Sequence, residues 1–130
     1  MIIKSSKKLV EEALLLIKTI TPQEVERVLK EDLNAILIDI RDIRELKKTG
    51  KIKIAKHMPR GMLEFWLDPQ SPYYKKDITP DRKKIFYCAS NWRSALATKA
   101  IKEMGFDNVS HVEGGFKALV EAGFDVEKID

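Results

Sequence analysis

A chain of 130 residues suits one domain with its own core, and 44% hydrophobic against 34% charged residues excludes a disordered polymer. A single cysteine excludes an internal disulfide and a zinc site built on several thiolates, and it fits a reducing compartment, so a cytoplasmic location is expected. The net charge of +4 is uneven: Arg41, Arg44, Lys47, Lys48, Lys51, Lys53, Lys56 and Arg60 face only Asp42 and Glu45 within residues 41–60, while seven acidic residues oppose Lys117 and Lys128 within residues 103–130.

Such a basic stretch can steer small anions. Nucleic acid is not expected, because no helix-turn-helix, RNP motif or zinc finger is present. Leu9, Val10, Ala13, Leu14 and Ile17 recur at helical spacing and predict a helix over 5–18. Lys4, Lys7 and Lys8 do not open a signal peptide: Glu11 and Glu12 interrupt, and the apolar run from Ala13 to Ile17 is too short. No run approaches a membrane span. Thr21-Pro22-Gln23-Glu24 has capping-box spacing with proline at the first helical position, and predicts a helix to about Glu31.

Ala35-Ile36-Leu37-Ile38 is short and continuously apolar, as in a strand buried on both faces of a parallel sheet. Ile43 to Lys48 predicts a brief helix stopped by Gly50, and Ala55 to Met58 a weak strand. Pro59, Pro69, Pro72 and Pro80 break up residues 61–80, with one helical turn at Met62 to Leu67. Phe65, Trp66, Tyr73 and Tyr74 gather there, and packing on the sheet is the simpler expectation than a lid. Ile85 to Cys88 is the next buried strand, followed by a helix over Ser94 to Met104 that Gly105 ends. Val109 to Val112 reads as a last strand and Phe116 to Ala122 as a last helix. Strands alternating with helices predict an α/β fold: a parallel sheet with helices on both faces.

In such sheets ligands bind beyond the carboxyl ends of the strands. Cys88 lies at such an end, in Cys88-Ala89-Ser90-Asn91-Trp92-Arg93. By position alone a lone cysteine belongs in the core. Its surroundings favour chemistry instead. Ala89, Ser90 and Asn91 are small or polar, so the backbone can turn N–H groups inward as an anion nest. The following helix adds the positive end of its dipole. Arg93 adds a fixed charge. Together these favour the thiolate, which is the nucleophilic form. Cysteine-dependent phosphatases need Cys-x5-Arg. Here four residues separate Cys88 from Arg93, and Ser94 holds the phosphatase arginine position. The smaller ring suits a persulfide.

Cys88 to Ala95 resembles the active-site loop of single-domain rhodaneses. Leu37-Ile38-Asp39-Ile40-Arg41 is similar to that family's Asp-x-Arg strand end. Ala55 to Gly61 is similar to its next strand and turn, and Val112-Glu113-Gly114-Gly115-Phe116 to its Gly-Gly segment. The resemblance runs from about Ile20 to Phe124. It implies a five-stranded rhodanese-like sheet over residues 19–130, with residues 1–18 as a helical extension packed on it. Two departures stand out: Lys53-Ile54 where the family has Pro-Gly, and Leu119 where it often has tryptophan.

The resemblance also implies a two-step sulfur transfer without a cofactor. Cys88 is the nucleophile. Ala89, Ser90, Asn91, Trp92 and Arg93 bind a small anionic donor such as thiosulfate, and Trp92 walls the pocket. The acceptor is cyanide, a thiol or a sulfur-accepting protein. Arg60 is a further candidate for the anion pocket. Asp39 is expected to cap or hydrogen-bond local backbone, and Arg41 to make a structural ion pair, rather than either acting in catalysis. His57 and His111 are too few for a metal centre and are expected in packing or at the surface.

Overall fold

The computed structural model describes residues 1–130. In chain order it contains α1 (Ser6–Leu16), β1 (Lys18–Ile20), α2 (Pro22–Glu31), β2 (Ile36–Asp39), α3 (Ile43–Thr49), β3 (Lys51–Ile52) and β4 (Lys56–His57). A 3-10 turn (Arg60–Met62) then leads into α4 (Leu63–Leu67), β5 (Lys84–Tyr87), α5 (Trp92–Glu103), β6 (Val109–Val112), α6 (Gly115–Glu121) and β7 (Val126–Glu127). Five strands form one parallel sheet in the order β1-β6-β5-β2-β4, the architecture expected from the alternating pattern. No helix is long and apolar enough to cross a membrane.

The continuous apolar runs become the central strands because both faces of the sheet are covered. Side chains alternate between those faces. Ile36, Ile38, Phe86 and Cys88 pack on one face with Leu63 and Leu67 of α4 and Ala97 and Ile101 of α5. Leu37, Ile85 and Tyr87 pack on the other with Val25 of α2 and Leu119 of α6. Burying each such leucine, isoleucine or phenylalanine is worth roughly 1.5–3 kcal/mol, so these runs favour the central strands, where both faces are covered. Leu119 is fully buried, so the missing tryptophan is a change within the core.

Local signals set the helix starts. Thr21 and Asp42 each form a complete capping box, with Glu24 and Glu45 respectively. Gly50, at φ +80°, ends α3 where a side chain would meet Val126 and the Glu127 carbonyl.

The first helix is shorter than its apolar spacing predicts. It ends at Leu16, and Lys18 is already strand. Three residues with one buried position give no readable strand pattern. They pair only because β6 offers an open edge. A boundary after residue 18 therefore falls inside β1. Helix α1 packs on α5 through Val10 and Ala13 against Ala95. The antiparallel pair β3–β7 was equally silent, with two residues from each segment. Trp66 packs on the core while Phe65 and Tyr73 stand exposed.

Candidate functional site

Strand β5 delivers Cys88 one residue past its carboxyl end, and α5 begins four residues later. The thiol is 1% exposed. Asn91 occupies the N-cap position of α5 but makes no capping bond with its side chain. Its Oδ1 instead accepts from the Gly114 N–H at 2.8 Å. The helix donor that a cap would satisfy, the Ser94 N–H, donates to Cys88 Sγ at 3.3 Å. The sulfur thus takes the place of a capping oxygen at the positive end of a 12-residue helix. The N–H groups of Ala89, Ser90, Asn91, Trp92 and Arg93 donate to no protein acceptor. Five successive free donors follow the thiol, a surplus that suits an anion.

The Gly-Gly segment closes the loop from behind. The Phe116 N–H donates to the Cys88 carbonyl at 2.8 Å. A Cβ on Gly115, which has φ +58°, would lie 2.4 Å from the Cys88 carbonyl oxygen and 2.6 Å from that of Ser90. Only glycine permits this approach.

Ser94 Oγ lies 3.4 Å from Cys88 Sγ and 2.8 Å from His111 Nδ1. His111 Nε2 lies 2.9 Å from Thr19 Oγ1. Burial pushes the His111 pKa down to about 4, so the ring is neutral. Expected in packing or at the surface, His111 is buried and in contact with the serine that touches Cys88 Sγ.

Arg93 does not point free into the loop. It makes a two-pronged pair with Glu45 of α3, at 2.7 and 2.9 Å. The pair holds the Glu45 carboxyl below its ordinary range and raises Arg93 further. Trp92 is half exposed, and Ala89 and Ser90 lie at the surface. Arg60 bonds to Glu64 at 2.7 Å, not to a loop residue. Asp39 and Arg41 form a buried ion pair at 2.8 Å, and Arg41 also donates to Thr49 Oγ1 and the Gly50 carbonyl. His57 contacts the Arg41 carbonyl through Nε2 at 2.7 Å. Five of the eight basic groups in residues 41–60 are ion-paired, leaving Lys47, Lys48 and Lys53 without a carboxylate. The basic stretch is therefore weaker as a field than its charge count implies.

Sequence reasoning assigned no site role to Glu45, Ser94, His111, Thr19 or Gly115. One signal was available. A histidine inside a strand buried throughout must find a hydrogen-bond partner.

The profile of the rhodanese-like domain family matches residues 21–122. A probable adenylyltransferase/sulfurtransferase, MoeZ of Mycobacterium tuberculosis, is 32% identical over 100 residues, which are 77% of this chain and 24% of that protein. The chain thus spans about a quarter of that relative. Among solved structures, a Rhodopseudomonas palustris protein of unknown function, described as a possible tyrosine phosphatase, is 43% identical with a TM-score of 0.88, covering 98% of this chain and 97% of that one. The polysulfide-sulfur transferase homodimer of Wolinella succinogenes is 32% identical with a TM-score of 0.74, covering 95% and 88%.

Proposed function

The chain belongs to the rhodanese-like domain family, and on that premise we propose that it is a sulfurtransferase carrying sulfane sulfur as a persulfide on Cys88. Its relatives include proteins described as sulfurtransferases. The Cys88 thiolate attacks the outer sulfur of the donor. With thiosulfate, the S–S bond breaks and sulfite leaves with the electron pair. The acceptor, cyanide or a thiolate, then attacks the terminal sulfur of the persulfide, and Cys88 regains its thiolate. A lone thiol of this kind fits a reducing cytoplasm.

The observation that carries this reading is the run of free N–H groups from Ala89 to Arg93, beside a sulfur already bonded by the Ser94 N–H. A persulfide extends one atom beyond the thiol, into a ring of donors able to hold its terminal anion. The phosphatase description of the R. palustris relative fits this chain less well. Ser94 stands where a phosphate-binding arginine is needed, and its hydroxyl is engaged with Cys88 and His111.

A second reading is favoured by the Arg93–Glu45 pair. With its guanidinium matched, the loop lacks the spare cation that a dianion such as thiosulfate calls for. That favours a persulfide or polysulfide donor and a carrier that passes sulfur to a protein acceptor.

One experiment addresses both. The protein is incubated with thiosulfate and, separately, with polysulfide, and its intact mass is recorded. A gain of one sulfur atom, absent in Cys88→Ala, is expected. No adduct from any donor would overturn both readings. Steady turnover of thiosulfate with cyanide favours the enzyme, and loading by polysulfide alone favours the carrier.

A further inference from the structure

A chain of polar side chains runs from Cys88 to the edge of the sheet. Cys88 Sγ, Ser94 Oγ, His111 Nδ1, His111 Nε2 and Thr19 Oγ1 follow one another at 3.4, 2.8 and 2.9 Å across the three gaps between side chains. Cys88, Ser94 and His111 are all 1% exposed or less. Thr19 is exposed and stands on the edge strand β1, directly opposite His111 in the register. Water scarcely reaches the sulfur in this conformation, yet the thiol must lose a proton before it can attack.

We propose that Ser94, His111 and Thr19 form a relay that carries the Cys88 thiol proton to solvent, with His111 as the positioning residue that exchanges one neutral tautomer for the other as Cys88 ionises. This rests on Cys88 being the nucleophile. In the thiol state, Cys88 S–H donates to Ser94 Oγ, the Ser94 hydroxyl donates to Nδ1, and Nε2–H donates to Thr19 Oγ1. In the thiolate state every bond reverses. The Ser94 hydroxyl donates to sulfur, Nδ1–H donates to Ser94 Oγ, and the Thr19 hydroxyl donates to Nε2.

The protons balance. The thiol proton moves to Ser94 Oγ as the serine proton moves to Nδ1. The Nε2 proton moves to Thr19 Oγ1, whose own proton leaves to water. One proton is lost in all and the imidazole carries no net charge in either state. The neutral ring required is the one that burial enforces. No charged group contributes to that shift. The charged side chain near the sulfur is Arg93 of α5, which is paired with Glu45 of α3. Ser94 Oγ also lies 3.2 Å from the Asn91 carbonyl, a weaker alternative acceptor than Nδ1 at 2.8 Å.

A histidine that merely fills space keeps one tautomer. The test is nitrogen NMR of the His111 ring in the full-length protein across the titration of Cys88, whose thiolate fraction is followed by its alkylation rate with iodoacetamide. The ring proton is expected on Nε2 below the thiol midpoint and on Nδ1 above it. Cys88→Ala and Ser94→Ala should each abolish the exchange, and Ser94→Ala should slow alkylation at neutral pH by about tenfold, since it removes a hydrogen bond to the thiolate. One and the same tautomer on both sides of the wild-type midpoint overturns the relay, even if neither variant folds. The measurement needs no sulfur donor. Failure to load sulfur would therefore sink the transfer reading alone, and a fixed tautomer in a protein that loads sulfur would sink the relay alone.

Discussion

At the scale of single residues, the site depends on what each group is prevented from doing. Arg93 carries a permanent charge, but Glu45 meets it with both carboxylate oxygens. That pair lies near the surface, so it is worth about 0.2–1 kcal/mol. A dianionic donor must compete with it. Glu45→Gln keeps the helix cap that Glu45 provides to Asp42 and removes the charge. It should lower the KM for thiosulfate by up to about fivefold with little change in kcat, as read from steady-state turnover with cyanide. An unchanged KM would leave Arg93 out of donor binding. Gly115 is constrained more severely. In Gly115→Ala the new Cβ meets backbone oxygens of Cys88 and Ser90, which cannot move aside as a flexible side chain would, and the positive φ adds strain. A cost of about 2–4 kcal/mol is expected, measured by urea unfolding, together with loss of persulfide loading by intact mass.

At the scale of elements, the central strands and the starts of α2 and α3 were legible. The short strands β1, β3 and β7 were not, and α5 starts at Trp92, two residues before the expected Ser94. The continuous apolar runs Ile36-Leu37-Ile38 and Ile85-Phe86-Tyr87 mark strands buried on both faces, but which residue takes which face is decided by the packing of α2, α4, α5 and α6. The glycine after α3 and the capping boxes of α2 and α3 mark ends that local backbone chemistry decides. Arg41 was foreseen in a structural ion pair and Asp39 in local backbone bonding, but that they pair with each other was not. Arg41 reaches from the end of β2 to the end of α3 and lies 4.2 Å from the ring centre of Phe116 on α6. It is 2% exposed. Arg41→Met leaves Asp39 buried without its partner and should cost about 3–5 kcal/mol. Matching urea midpoints for this variant and the wild type would refute that.

At the scale of the whole molecule, a buried neutral histidine ties stability to acidity. The ordinary histidine value is 6.5, and burial lowers that of His111 to about 4. As pH falls, the unfolded chain takes up this proton before the folded one does. The stability that the neutral ring permits is complete above about pH 6.5 and is lost as pH falls toward 4. Urea midpoints recorded between those values should fall more steeply for the wild type than for His111→Gln. Equal slopes would show that His111 does not couple folding to protons.

The sequence alone placed Cys88 between a buried strand and a helix, and assigned a parallel α/β sheet. Both follow from local periodicity and from the residue types that start and stop elements. Only the tertiary structure decided the partners of the thiol and of its loop. Glu45 comes to Arg93 across 48 residues, His111 to Ser94 across 17, and Thr19 to His111 across 92. Those meetings depend on strand order and register, above all on β1 pairing with β6. Hydrogen bonds between distant side chains leave no periodic trace in the chain that makes them.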